Sequence, residues 1–221
     1  MRPLENELRE GLQSLSLELP DAAVGALLEY LGLIQKWTKV YNLTAVRDPA
    51  EMLTHHLLDS LAVIEPLRRE LDQMARDGLS TVAPTLLDVG SGAGLPGVVI
   101  AIVIPELQVH CVDTVAKKAA FIQQVAASLR LANLRGIHAR VEGLQQKYAV
   151  VSSRAFASLS DFTAWSSAAL SEKGVWMAMK GKIPEQEIGE LSADVQVFHV
   201  EQIQVPGLKA ERCIVWMRKP E

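Results

Sequence analysis

The sequence predicts an α/β fold: a mostly parallel sheet covered by helices, closed by an antiparallel hairpin and preceded by an N-terminal helical cap. Three observations carry this. Apolar residues recur every three to four positions in the first eighty residues, as on helices that bury one face. From Thr85 onward, short strand-like runs alternate with helical stretches, the pattern of right-handed crossovers in a parallel sheet. The last two strand-like runs, "VQVFHVEQIQV" and "RCIVWMRK", are joined by Pro206-Gly207 and a few more residues, so they pair antiparallel.

Taken in order, the elements have local reasons. In "LPDAAVGALLEYLGLIQKW", Leu27, Leu28, Leu31, Ile34 and Trp37 lie on one helical stripe. Asp48-Pro49-Ala50-Glu51 is a helix start. Asp48 can cap the exposed amides, Pro49 suits the first helical position and Glu51 can reach back to the cap. The helix that follows is expected from Met52 to about Leu67. "RRELDQMARDGLSTVAP" is charged and then turn-rich, and reads as the link between a cap of residues 1–80 and a second region of residues 81–221. The two are expected to form one compact unit. Strands are then expected at 86–89, 107–112, 137–141, 148–152 and 175–179, and helices at 95–104, 116–131 and 159–170.

The chemistry starts at "LLDVGSGAGLPG", where a strand runs into Gly90, Gly92, Gly94 and Gly97. Read from Gly92, the stretch fits the dinucleotide pattern G-x-G-x-x-G. Read from Asp88, it fits the D-x-G-x-G-x-G loop of S-adenosylmethionine (SAM) methyltransferases. In both readings the loop enters a helix N-terminus, whose free amides can receive polar ligand groups. Asp113, ending the second strand, can hold ribose hydroxyls in both and does not discriminate. Asp88 does: an acid beside two phosphates is unfavourable, whereas SAM carries a sulfonium and an ammonium. Glu142, just past the third strand, can accept from an adenine amino group, and the closing hairpin suits the methyltransferase plan. SAM is therefore the expected cofactor, and the fold is that of a Rossmann-like class I SAM-dependent methyltransferase.

Bulk properties narrow the setting. The 221 residues carry a formal net charge of −4, and 49% are hydrophobic. That is enough for a core and argues against a general nucleic-acid coat protein, without excluding RNA met through a local basic patch. Candidates for such a patch are Lys36, Lys39, Arg47, Lys117, Lys118, Arg154, Lys180 and Lys182. No stretch is apolar and long enough to span a bilayer, and "MRPLENELRE" is no signal peptide, so a cytoplasmic protein is expected. Two cysteines, Cys111 and Cys213, read as buried thiols. Asn42-Leu43-Thr44 matches a glycosylation sequon by chance. His55, His56 and Asp59 share a helix, with His55 and Asp59 spaced i, i+4, but no third ligand beside that pair is evident, so no metal is assigned. His56 reads as a packing or hydrogen-bonding residue between cap and sheet.

The segments "YNLTAVRDPAEMLTHHLLDSL", "LLDVGSGAGLPG", "VDTVAKKAAFI", "ARVE", "VSSRAFASL", "MKG" and "IQVPGLKAER" resemble, in order, the bacterial ribosomal RNA small subunit methyltransferase G family. The resemblance runs from about Leu27 to Arg218 and implies methyl transfer from SAM to the N7 of one guanine in 16S rRNA. It further implies SAM contacts at Gly90, Leu95, Val141, Glu142 and Arg154, with Asp113 on the ribose, alongside the loop glycines Gly92 and Gly94. The expected partner is 16S rRNA within a small ribosomal subunit or its assembly intermediate, met by a monomer. Guanine N7 is a lone-pair nucleophile without a proton to lose, so alignment suffices and no general base is required. Neither N-P-P-[YF] nor a Pro-Cys nucleophile follows the fourth strand. Arg154, which does follow it, can bind the SAM carboxylate, a phosphate or the guanine edge, and the bland alternative is a salt bridge near the sheet edge. The competing functions are a SAM-dependent methyltransferase of another RNA or a small molecule, and a non-catalytic ribosome-assembly factor.

Overall fold

The computed structural model describes residues 2–41, 43–78 and 84–220. Asn42 of the Asn42-Leu43-Thr44 triplet and the expected boundary between residues 80 and 81 lie outside them. The cap opens with helices α1 (Arg2–Ser14) and α2 (Asp21–Tyr41). It continues through α3 (Pro49–Met52), a π turn (Leu53–Leu58), α4 (Asp59–Leu61) and α5 (Ile64–Arg76). As expected, Asp48 starts α3, its Oδ1 accepting from Ala50 N at 2.9 Å and Glu51 N at 3.1 Å. The single helix expected over 52–67 is instead interrupted by the π turn and broken at Ala62-Val63. Pro66 accounts for the break: it has no N–H to give, and its ring opposes the carbonyl four residues back, that of Ala62. The charged segment expected as a link is largely the helix α5.

The remaining chain gives β1 (Thr85–Val89), α6 (Gly97–Val103), β2 (Gln108–Asp113), α7 (Ala116–Ser128) and β3 (Leu134–His138). Then come β4 (Tyr148–Arg154), α8 (Leu159–Ser166), β5 (Leu170–Lys180), α9 (Glu185–Gly189), β6 (Gln196–Ile203) and β7 (Arg212–Arg218). The seven strands lie in the order β3-β2-β1-β4-β5-β7-β6. Strands β1 to β5 pair in parallel, and β7 pairs antiparallel with both β5 and β6, so the terminal hairpin forms as expected. The third strand starts three residues earlier than expected because Gly136 is a member of it and not a breaker. A Cβ there would stand 2.5 Å from the Ala119 carbonyl oxygen of α7, which crosses at that point. The helix expected over 159–170 ends at Ser166, since Leu170 already pairs with Tyr148 as part of β5.

One apolar cluster runs from the cap into the sheet. Leu27, Tyr30, Leu31 and Ile34 of α2 and Leu57 and Leu61 from the segment before α5 pack with Val98–Val103 of α6 and with Phe121 and Ile122 of α7. A second cluster, including Val89, Val151, Trp176 and Val215, fills the other face of the sheet. Sequence order reverses between β2-β1 and β1-β4. The carboxyl ends of β1, β2 and β4 therefore flank the switch point at which open α/β sheets bind ligands.

Candidate functional site

The glycine loop leaves β1 at that switch point. Gly90, Gly92 and Gly94 all have positive φ (65°, 59° and 89°), which side chains rarely adopt. Backbone bonds hold the loop to β2: Gly90 N and Ser91 N donate to Val112 O at 2.9 and 3.3 Å. Asp113 completes the fastening. Its Oδ2 accepts from Gly92 N at 3.1 Å and its Oδ1 from Val115 N at 2.8 Å, with Lys118 Nζ 3.7 Å from Oδ2. Tyr30 of α2 ties the same loop to the cap by donating its hydroxyl hydrogen to Ala93 O at 2.6 Å. Sequence reading assigns Tyr30 no role. The one signal it offers is that a buried tyrosine hydroxyl needs a partner.

The helix start after the loop does not keep the free amides expected to receive polar ligand groups. Gly97 N donates to Asp88 Oδ2 at 3.0 Å and Val98 N to Gly94 O at 2.7 Å, so these amides are already satisfied. Asp88 is fully buried, held also by Ser152 Oγ at 3.1 Å, and burial pushes its carboxyl up to about 7. Its role is therefore to pin α6 to β1, and it does not face a ligand. A pyrophosphate at this helix start would meet a carboxylate in its place, which weighs against the dinucleotide reading. Gly97 belongs to the same contact: a Cβ would lie 2.4 Å from Cys111 Sγ and 2.9 Å from Asp88 Oδ2.

Beside the loop lies a cavity of about 520 Å³, a volume usual for small-molecule sites. Gly90, Asp113, Val141 and Glu142 line it, so four expected site residues from three separate segments meet there. Val141 and Glu142 come from the 3-10 turn Val141–Gly143 that follows β3. Gly92, Gly94 and Leu95 lie in the loop behind the wall and are absent from the lining. Phe156 and Trp165, which sequence reading missed, also line it, with ring centroids 5.8 Å apart in an edge-to-face pair. Phe156 stands against Gly90 so closely that a Cβ on that glycine would be 2.0 Å from the ring. It follows Ala155, whose φ is +50°. Two carboxylates, two cations (Lys118 and Arg140), apolar strand ends and aromatic rings make a lining suited to a zwitterion that carries a sulfonium and a nucleoside, the acids and ring faces attracting its cationic groups and the cations its carboxylate. These residues fit SAM.

Arg154 lies elsewhere. Its Nη1 donates to Asp59 Oδ2 at 2.8 Å and to the His55 carbonyl at 2.9 Å, which joins the end of β4 to the cap. The other Asp59 oxygen accepts from Arg212 Nε at 2.7 Å. His56 is buried in the cap and shares a hydrogen bond between Nε2 and Thr44 Oγ1 at 3.0 Å. Burial, helped by the Arg154 charge, holds its imidazole down at about 4. Among the described residues no group of three or more His, Cys, Asp or Glu side chains is placed to hold a metal. Nor is any described helix long and apolar enough to cross a membrane.

The His56 shift has a measurable consequence. Its folded value lies below the ordinary 6.5, so the unfolded chain binds the extra proton first as pH falls. The stability tied to neutral His56 is thus present above about 6.5 and lost between 6.5 and 4, at up to about 1.4 kcal/mol per pH unit. Urea unfolding of the wild type and of His56→Gln should converge as pH drops from 7 to 4.5. Parallel curves would show that His56 does not titrate in this way. Asp88 has the opposite sign, losing stability as pH rises toward 7, but it is common to both proteins and cancels in the difference.

Comparisons with known proteins bear on the family and the fold. The chain is 66% identical over 222 residues to the ribosomal RNA small subunit methyltransferase G of Albidiferax ferrireducens, covering 99% of both chains. It is 64% identical to the protein of that name from Acidovorax sp., covering 97% of this chain and 95% of the relative. Among solved structures it resembles TrmN from Thermus thermophilus, with a TM-score of 0.53 at 15% identity over 76% of this chain and 53% of that one. It also resembles the glycopeptide N-methyltransferase MtfA, solved with SAM bound, with a TM-score of 0.54 at 10% identity over 68% and 87% of the two chains. At such identities these two likenesses show the fold alone. The model of the GidB family, described as rRNA small subunit methyltransferase G, matches residues 24–215. A Rossmann-like sheet, high identity to relatives of that name over nearly the full length, and this match over most of its length together make the chain a SAM-dependent methyltransferase that belongs to the rRNA small subunit methyltransferase G family.

Proposed function

We propose that this chain transfers the methyl group of SAM to N7 of one guanine in 16S rRNA, presented within a small ribosomal subunit or an assembly intermediate. In this reading it works as a cytoplasmic monomer, and its cap (residues 1–80) and SAM-binding region (residues 81–221) act as one compact unit. The observation that carries it is the meeting of Gly90, Asp113, Val141 and Glu142 around one cavity at the sheet's switch point. Asp113 would hold the ribose, and Val141 with Glu142 the adenine. The Gly90, Gly92, Gly94 and Leu95 loop would support the methionyl part. When bound, SAM supplies an electrophilic methyl group on its sulfonium.

The chain's own residues then need only to bind, orient and exclude water. Neither His56, turned into the cap against Thr44, nor Asp88, fully buried against Gly97, is placed as a general base for a guanine, and this reading assigns the two carboxylates of the cavity, Asp113 and Glu142, to SAM. N7 requires none, which favours it over an exocyclic amine. Arg154 supports the reading from the cap side. Its Nη1 is committed to Asp59 and His55, while Nε and Nη2 make no hydrogen bond among the described residues and remain for a substrate or SAM carboxylate.

The test is to incubate the purified protein with methyl-labelled SAM and small subunits from cells lacking it, digest the RNA and identify the labelled nucleoside. N7-methylguanosine at one 16S position is expected. Label on an exocyclic amine, on a pyrimidine or on a ribosomal protein overturns the assignment, and no label at all returns the chain to the assembly-factor reading.

A further inference from the structure

We infer that the exposed tip formed by Val40 and Tyr41 at the end of α2 and Val115 and Lys117 at the start of α7 is a platform on which an unpaired RNA base stacks during substrate binding. This rests on the reading of the chain as an RNA methyltransferase and adds a surface that the cavity does not include. Large apolar side chains are seldom left in water together without a role. Here Val40 is 67%, Tyr41 44% and Val115 45% exposed. The Lys117 ammonium lies over the Tyr41 ring, 5.2 Å from its centroid, and a base that takes this face displaces it toward the neighbouring phosphate. Trp37 backs the same ring at 5.1 Å and is itself anchored on Phe121 at 5.2 Å, so the ring stands on a packed base.

Charge selects the occupant. Lys117 is exposed at the ring, and Lys36 and Lys39 are exposed on the last turns of the same α2. Among the described residues no carboxylate lies within ion-pair distance of any of them. An aromatic ring at a lysine whose charge is not neutralised locally, with two more lysines on the same helix, is an arrangement that binds single-stranded nucleic acid, with base on ring and phosphate on ammonium. The platform is also continuous with the chemistry. Val115 lines the SAM cavity as well as the patch, and Lys118, next to Lys117, lines the cavity and reaches Asp113. An RNA strand whose target base enters the cavity mouth therefore passes over Tyr41.

The experiment titrates a fluorescein-labelled single-stranded RNA of mixed sequence into the full chain at low salt, in wild type, Tyr41→Ala, Tyr41→Phe and Lys117→Gln. Thermal melting checks that each variant folds. Tyr41→Ala should weaken binding roughly tenfold, while Tyr41→Phe, which keeps the ring, should bind like wild type. Lys117→Gln should lower the salt dependence by about one counterion. SAM affinity, measured by calorimetry, should not change in the two Tyr41 variants. Unchanged RNA affinity in Tyr41→Ala, equal loss in Tyr41→Phe, or a wild-type protein that binds no RNA each overturns the platform. The functional reading fails separately: wild type that binds RNA through Tyr41 yet does not methylate small subunits keeps the platform and loses the assigned reaction.

Discussion

Asp59→Ala should destabilise the protein by about 3–5 kcal/mol, the cost of removing one member of a buried charge cluster. The carboxylate is 3% exposed and answers two guanidiniums, Arg154 from β4 at 2.8 Å and Arg212 from β7 at 2.7 Å. Those arginines are themselves only about a quarter exposed, so without Asp59 two cations remain poorly solvated and facing each other. The cluster exists because the π turn Leu53–Leu58 brings the His55 carbonyl and the Asp59 carboxylate onto Arg154 together. Urea unfolding is the measurement, and a melting temperature lower by about 6–20 °C should accompany it. Asp59→Asn, which keeps the shape but not the charge, should recover little of the loss. In a double-mutant cycle, Arg154→Ala should cost less on the Asp59→Ala background than alone, because the two side chains share one interaction. A loss under about 1 kcal/mol in Asp59→Ala would mean that water replaces the carboxylate at no real cost and that the cap is held by apolar packing alone.

This cluster also shows where sequence reading stops. Asp59 and Arg154 lie ninety-five positions apart, and nothing local announces that they meet. Sequence motifs marked both residues but assigned Arg154 to the ligand first and to a salt bridge second. The alternation of strands and helices was legible because each period reports local burial, and the terminal hairpin because its connection is too short to cross over. Breaks in that rhythm were not. Gly136 stands just before the expected third strand, yet it is a strand residue whose missing Cβ admits the backbone of α7. Pro66 breaks the expected helix by acting on a carbonyl four residues earlier, so the consequence appears away from its cause. In the site, the glycines and acids were legible because chemistry restricts those positions to few residue types. Tyr30, Phe156 and Trp165 were not, because an aromatic residue in an apolar stretch looks the same whether it fills a core or walls a cavity.

Asp113→Ala should weaken SAM binding by about 1–3 kcal/mol, roughly fivefold to more than a hundredfold, for two reasons that separate experimentally. The proposed one is direct, through the charge-assisted hydrogen bonds a carboxylate makes to ribose hydroxyls. The structure adds an indirect one: the same carboxylate accepts from Gly92 N and Val115 N, fastening the glycine loop and the start of α7 to the end of β2. Each carboxylate oxygen has a second lone pair, so both duties are compatible. Asp113→Asn divides them. An amide keeps one acceptor oxygen for the loop, turns its other group into donors and loses the charge. If the ribose contact dominates, Asn should bind SAM about as poorly as Ala while its unfolding free energy stays close to wild type. If loop fastening dominates, Ala should lose stability as well as affinity, and Asn should recover part of both. Glu142→Gln serves as the reference, since Glu142 is exposed at the cavity rim and fastens no loop, so any change there reports on the ligand alone. Calorimetry on the three variants gives the affinities and urea unfolding the stabilities. Wild-type SAM affinity in Asp113→Ala would remove the residue from the site and leave the cavity without its central acid.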